Sequence, residues 1–156
     1  MMSGRVQVVA VGRIRDQHWR AFQDEYIKRI GRYVDFKLAE TKDSGHGLPD
    51  TVAKKREGEG LLAATDDKLR RYVMSEHGKP ISSPNFARFL SQELEMYSGV
   101  AFLIGGPMGF SDEVITASDG QIALSAMTFP HEMARVILLE QIYRGFTIIK
   151  GEKYHK

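Results

Sequence analysis

The chain has 156 residues, 42% of them apolar and 27% charged, the size of one globular domain that buries roughly 68–70% of its unfolded surface. Lys and Arg number 22 against 20 Asp and Glu, and cysteine is absent. This excludes a disulfide scaffold, thiolate metal sites and cysteine nucleophiles, and leaves no charge excess for binding nucleic acid by net charge alone. No window approaches the run of about 18 apolar residues that a membrane span needs, and Met1-Met2-Ser3-Gly4-Arg5 lacks the apolar stretch of a secretion signal, so a cytoplasmic protein is expected.

Val6 to Val11 is a β-branched apolar run ended by Gly12 and reads as a buried strand. From about Asp16 to Ile30, Trp19, Phe22, Tyr26 and Ile30 recur at helical spacing with charges between them. Phe36 to Ala39 alternates like a second strand, and Thr41 to Pro49, with Gly45, Gly47 and Pro49, is a loop by composition. Asp50 or Thr51 is expected to cap a charged helix reaching Ala64, in which Gly58 and Gly60 each cost about 1 kcal/mol against alanine. Tyr72 to Ser75 reads as a third strand, followed by a Gly78-Lys79-Pro80 turn. Ser83-Pro84 supplies a cap and a first-turn proline for a helix with the stripe Phe86, Phe89, Leu90, Leu94 and Tyr97, which Gly99 is expected to end. Val100 to Ile104 is again an apolar strand, Ser111-Asp112-Glu113 caps a short helix, and Gln121 to Leu124 forms a fifth strand. Strands alternating with helices imply a mostly parallel sheet covered on both faces. No repeat or linker divides the chain, so residues 1–156 read as a single α/β domain.

Ligands of open parallel sheets bind beyond the carboxyl ends of the strands. Two loops stand there. Gly105-Gly106-Pro107-Met108-Gly109-Phe110 is either a turn that needs positive φ or a bare backbone that a flat ring approaches closely. It has neither Gly-x-Gly-x-x-Gly spacing nor Gly-Lys-Ser/Thr, which disfavours a dehydrogenase or a phosphate-cradling NTPase. Leu124-Ser125-Ala126-Met127-Thr128-Phe129-Pro130-His131 reads either as an ordinary strand-to-helix connection or as a pocket rim, with an apolar wall and hydroxylated residues facing a heterocycle.

The helix from Pro130 to about Ile149 carries Met133, Val136, Ile137, Leu138, Leu139, Ile142, Tyr143 and Phe146 around most of its circumference, with Glu132, Arg135, Glu140, Gln141 and Arg144 as a thin polar seam. A surface helix needs only one apolar stripe, and each large side chain left in water forgoes roughly 1.5–3 kcal/mol. Either this helix is central within one subunit or a second copy covers it in a two-fold dimer. The five histidines lack the i, i+4 spacing of a helical metal site, so no metal is expected. Tyr154, His155 and Lys156 at the chain end are suited to stacking on a base and holding a phosphate. Basic residues cluster at Arg13, Arg15, Arg20, Lys28, Arg29, Arg32 and Lys37 and again at Lys54, Lys55, Arg56, Lys68, Arg70 and Arg71, both interleaved with acids; they read as a solvated face or a local RNA patch.

Leu103-Ile104-Gly105-Gly106-Pro107-Met108-Gly109, Leu124 through His131, Glu140-Gln141-Ile142-Tyr143-Arg144 and the terminal Tyr154-His155-Lys156 together resemble the ribosomal RNA large subunit methyltransferase H family of the knotted SPOUT methyltransferases. The resemblance covers the whole chain, including the opening Val8-Val9-Ala10-Val11-Gly12. It implies a C-terminal trefoil knot, an exception to the general avoidance of knots, that holds S-adenosyl-L-methionine. Met74, Gly105 and the segment Leu124, Ser125, Ala126, Met127, Thr128 and Phe129 match the family's cofactor-binding positions. The implied reaction is methyl transfer to N3 of a pseudouridine in helix 69 of 23S ribosomal RNA, in the assembled ribosome, by a homodimer paired through the last helix. Met74 stands where leucine is common, and Lys156 ends the chain where arginine is common, which keeps the charge without the forked geometry.

The imide N3 carries a proton that must leave, and a histidine is a suitable acceptor near pH 7. His131 or His155 is expected in that role, Tyr154 in stacking or orienting the base, and Arg135 or Arg144 in neutralising phosphate or developing oxyanion charge. Two other classes remain open: a ribosome- or RNA-binding factor with the same fold and no turnover, and a SPOUT methyltransferase acting on transfer RNA.

Overall fold

A computed structural model describes residues 1–156. In chain order the elements are β1 (Arg5–Val11), α1 (Gln17–Ile30), β2 (Asp35–Thr41), α2 (Asp50–Ala64), β3 (Arg70–Pro80), α3 (Ser83–Met96), β4 (Gly99–Ile104), α4 (Asp112–Thr116), β5 (Gly120–Ala123) and α5 (His131–Ile149). The five strands form one sheet in the order β2-β1-β4-β3-β5, and every pairing is parallel. Alternation along β1 and β4 divides the core between two faces. Val6, Val8, Ala10, Val100, Phe102 and Ile104 face a large cluster with residues of α3 and α5 and with Ile30 of α1. Val9, Val11 and Leu103 meet Leu61 of α2 and Val114 of α4 on the other face.

Helix α5 packs against both α1 and α3 as well as the sheet side of that larger core. Leu138, Leu139, Ile142 and Phe146 are fully buried within the one chain, which accounts for most of the helix's apolar circumference. Gly145 lets α3 come close, since a Cβ there would lie 2.7 Å from Leu90 Cδ1. Met133, Ile137 and Ile148 are only half-buried and share an outward line with Glu140 and Arg144. Arg135 is not on that seam: it is 2% exposed.

Local differences from the sequence expectations have specific causes. The cap of α3 is Ser82, whose hydroxyl accepts from the Asn85 N–H at 3.3 Å; Ser83 is thereby free to donate to Gln141 Oε1 at 2.6 Å. Pro49 rather than Asp50 or Thr51 occupies the cap position of α2, which leaves Asp50 in the first turn, where its charge suits the helix dipole. Gly58 lies in that helix because α4 packs close: a Cβ would meet Ser111 Oγ at 2.6 Å and Val114 Cγ2 at 2.8 Å. Phe22 is 53% exposed, while Gln23 beside it is buried with its side-chain oxygen accepting from Arg135. Gly78-Lys79-Pro80 is no turn. Strand β3 breaks register after Met74 and resumes pairing with β5 at Lys79↔Ile122, and a Cβ on Gly78 would stand 2.7 Å from the Ile122 nitrogen. Gly99 does not stop α3, which ends at Met96. It opens β4 opposite Arg5 with φ +137°, where a Cβ would fall 1.9 Å from the Arg5 carbonyl oxygen. Leu124 lies just beyond β5. No helix is long and apolar enough to cross a membrane.

Candidate functional site

A cavity of about 620 Å³ opens at the carboxyl ends of β3, β4 and β5, within the range of small-molecule sites. Three stretches build it: Met74 to His77 where β3 breaks register, Ile104 to Phe110 after β4, and the segment from Leu124 into the start of α5. Lys54 of α2, Ile115 of α4, Gln121 of β5 and Leu138 of α5 complete the lining.

The glycine loop is closed by the Gly109 N–H donating to the Gly106 carbonyl at 3.0 Å, with Gly109 at φ +81°, so the turn reading holds at Gly109. Gly105 and Gly106 are bare because the protein itself crowds them. A Cβ on Gly105 would lie 3.2 Å from the Gly109 carbonyl oxygen, and one on Gly106 2.8 Å from Glu57 Oε1. The buried Glu57 carboxylate in turn accepts from the Ser44 hydroxyl at 3.3 Å.

The loop after β5 is held by few internal bonds. Ser125 Oγ accepts from the Met127 N–H at 3.0 Å, and the Thr128 hydroxyl donates to the Glu76 carboxylate. The N–H groups of Ser125, Ala126, Thr128 and Phe129 have no partner in the chain, and Met127 is 74% exposed. Backbone donors left open beside the apolar Met74, Leu124, Phe129 and Leu138 are a surface on which a heterocycle finds both a wall and hydrogen bonds.

Of the residues expected from sequence, Met74, Gly105, Leu124, Ser125, Met127, Thr128, Phe129 and His131 line this cavity, and Ala126 does not. Arg135 points away from it into a buried network. Its Nη1 pairs with Glu40 and donates to Gln23 at 3.3 Å, and its Nη2 donates to the Gly12 carbonyl at 2.8 Å. Arg144, Tyr154 and His155 come together elsewhere. Arg144 donates to Glu140 Oε1 from Nε at 2.9 Å and Nη2 at 2.6 Å, lies 4.8 Å over the Tyr154 ring, and stands 3.2 Å from His155 Nδ1. Tyr154 donates to the same carboxylate at 3.0 Å and meets Tyr143 edge-on at 4.7 Å. Burial, then the bond to Glu140, pushes its phenol well above the ordinary value. Thirteen helical positions separate Arg144 from His131, about 20 Å at the helical rise, so cavity and cluster lie at opposite ends of α5.

The sequence reading does not place Glu76 or His77 at a site, and takes Lys54 only as one of a basic group. Glu76 and His77 lie in a stretch that reads as a strand end entering a turn, and only the break in β3 brings them to the rim. Lys54 is indistinguishable from its neighbours Lys55 and Arg56 until α2 is packed.

A parallel α/β sheet with a ligand-sized cavity at the carboxyl edge of its central and outer strands is the arrangement in which open α/β proteins place small-molecule sites. The family described as "Predicted SPOUT methyltransferase" matches residues 4–155. Proteins named ribosomal RNA large subunit methyltransferase H are similar over nearly their whole length: 43% identical in Geotalea daltonii, 41% in Anaeromyxobacter dehalogenans and 38% in Clostridium beijerinckii, each alignment covering 97% of this chain and 99% of the relative. The chain belongs to the SPOUT methyltransferases and, within them, to the ribosomal RNA large subunit methyltransferase H family.

Proposed function

We propose that this chain uses S-adenosyl-L-methionine to methylate N3 of a pseudouridine in helix 69 of 23S ribosomal RNA, on the assembled ribosome in the cytoplasm, as a homodimer whose C-terminal part is threaded into a trefoil knot. The observation that carries the reading is the cavity, whose apolar wall and unclaimed N–H groups between Ser125 and Phe129 fit an adenosyl group. Met74, Gly105 and the Leu124 to Phe129 segment would hold it. Bound there, the cofactor supplies a methyl carbon that its sulfonium already makes electrophilic.

The chain's own part is to align the nucleobase, exclude water and take a proton. His131, at the cavity wall where α5 begins, is assigned as acceptor of the N3 proton, with His155 as the alternative. Tyr154, whose hydroxyl is held by Glu140, is assigned to stack on or orient the base. Arg144, still partly exposed, is placed to meet phosphate. Arg135 contributes by holding the Gly12 turn to α5.

One subunit keeps Tyr154 and His155 at the far end of α5 from the cavity. Two α5 helices paired antiparallel along the half-buried Met133, Ile137 and Ile148 line would bring the tail of one copy toward the cavity of the other. Incubating purified chain and labelled cofactor with ribosomes, and with naked ribosomal RNA alongside, tests the proposal. Mass spectrometry should find one added methyl on the pseudouridine of a helix 69 fragment from the ribosomes; an unmodified fragment sinks the substrate assignment. Light scattering should give twice the 17.6 kDa chain mass. A non-catalytic binding factor predicts no cofactor uptake at all.

A further inference from the structure

We infer that Glu76 is the residue by which the cavity distinguishes a positively charged methyl donor from its neutral demethylated product; the inference rests on the cofactor reading above. Among the residues that line the cavity, Glu76 is the one acid. It is there because β3 leaves its register between Met74 and Lys79, and a break of this kind re-aims side chains at a strand end. The break is itself built into the packing, since Gly78 presses against the backbone of β5 too closely for any side chain. The Thr128 hydroxyl donates to Glu76 Oε2, which ties the carboxylate to the loop expected to grip the cofactor. The other oxygen, Oε1, has only the largely exposed His77 imidazole, at 3.8 Å. Lys54 is the lining cation and disfavours a second positive charge, so attraction must come from Glu76.

When the methyl group leaves, its bonding pair stays on sulfur, the N3–carbon bond forms and the N3 proton goes to the base. The sulfonium becomes a neutral thioether, and the attraction to Glu76 ends with it. A carboxylate placed here therefore favours donor over product, although both carry the same adenosyl and amino acid groups.

Calorimetry with S-adenosylmethionine, S-adenosylhomocysteine and sinefungin tests this, because sinefungin carries an ammonium in place of the methyl-sulfonium. Glu76→Gln removes the charge and keeps an acceptor for Thr128. It should weaken the two charged ligands by roughly threefold or more, the size of a partly exposed charge pair, and leave S-adenosylhomocysteine within about twofold. Equal weakening of all three means that Glu76 meets a group they share, and no weakening means that it meets none; either result overturns the inference alone. Wild-type protein that takes up none of the three overturns the cofactor reading as well. Glu76→Asp, which keeps the charge, should keep the preference in the same direction.

Discussion

The two edges of the sheet are built differently. At the amino edge Arg5 bonds Asp35 at 2.7 Å and Asp66 at 3.2 Å. Arg70 donates to the Tyr72 hydroxyl at 2.9 Å, which donates to Glu93 at 2.8 Å, and Asp119 accepts from the Arg71 N–H at 2.8 Å. The hydrogen bond to Tyr72 heads the causes that raise the Arg70 pKa further above its ordinary value. The chain end docks near this edge too, with Tyr33 donating to Glu152 at 2.6 Å. At the cavity on the carboxyl edge, the N–H groups of Ser125, Ala126, Thr128 and Phe129 have no partner in the chain, and the loop is tied by single contacts such as Thr128 to Glu76. A loop whose backbone donors stay open beside an apolar wall offers hydrogen bonds to a ligand, while the opposite edge is tied by side-chain ion pairs and hydrogen bonds.

If that division is right, substitutions at the amino edge, or in the buried Arg135 network that lies beside the cavity without lining it, should damage folding, and those in the cavity loops should damage binding. The largest effect is expected for Gly99→Ala. Its Cβ would land 1.9 Å from the Arg5 carbonyl oxygen on a backbone with φ +137°, so β1 and β4 must separate. A loss of more than about 3 kcal/mol is expected, from overpacking and left-handed strain together. Urea unfolding should show it, and a midpoint near wild type would contradict the pinned edge.

Next comes Arg135→Ala. The substitution strips Glu40, Gln23 and the Gly12 carbonyl of one buried partner. Removing one member of a buried pair typically costs 3–5 kcal/mol, and about 3 kcal/mol is expected here because Glu40 keeps some contact with water. The folded fraction should still take up cofactor, since Arg135 does not line the cavity.

Gly106→Ala reverses the pattern. Its Cβ meets the Glu57 carboxylate at 2.8 Å, and the loop must shift away from Glu57. Cofactor affinity should fall about tenfold, while unfolding free energy should drop by only about 1 kcal/mol, the low end for overpacking because the Glu57 carboxylate is the end of a flexible side chain. Parallel calorimetry and urea titration check this. A large stability loss with unchanged affinity would place the glycine loop with the structural edge instead.

Much of this arrangement is legible in the sequence, for reasons that differ by element. Val6 to Val11 and Val100 to Ile104 announce themselves because a strand buried on both faces is almost entirely apolar; the exception, buried Gln7, donates to the Ala64 carbonyl and accepts from the Asp66 N–H. The two loops over the cavity show through their glycines and hydroxyls. Other features are settled only by tertiary contacts. Arg135 looks like part of a polar seam until Glu40 from β2 and the Gly12 carbonyl reach it. Gly78-Lys79-Pro80 has turn composition, and only β5 shows that it is strand. The breadth of the α5 apolar surface allowed a central helix or a dimer face, and burial of Leu138, Leu139, Ile142 and Phe146 between neighbours accounts for most of it. Glu76 and His77 gave no periodic or motif signal, because their place on the rim depends on a strand irregularity.

The smallest expected effect concerns the docked tail at the amino edge. The Tyr33 ring stacks on Phe146 at 5.6 Å, and burial, then the bond to Glu152, raises its phenol from 10.0 to about 12. A phenol that holds its proton more tightly in the folded chain adds stability that is complete below pH 10 and is lost as pH rises through about 12. Tyr33→Phe removes the hydroxyl and should cost about 1 kcal/mol near neutrality, the usual size of one such hydrogen bond. Above pH 10 the wild type progressively forfeits the same contribution, so the gap between the two proteins should close toward pH 12. Tyr72 and Tyr154, also raised, remain in both proteins and drop out of the difference. Chemical unfolding across this range reads the gap directly, and one that stays constant would show that the Tyr33 hydroxyl does not titrate with folding and that the tail is held by ring packing alone.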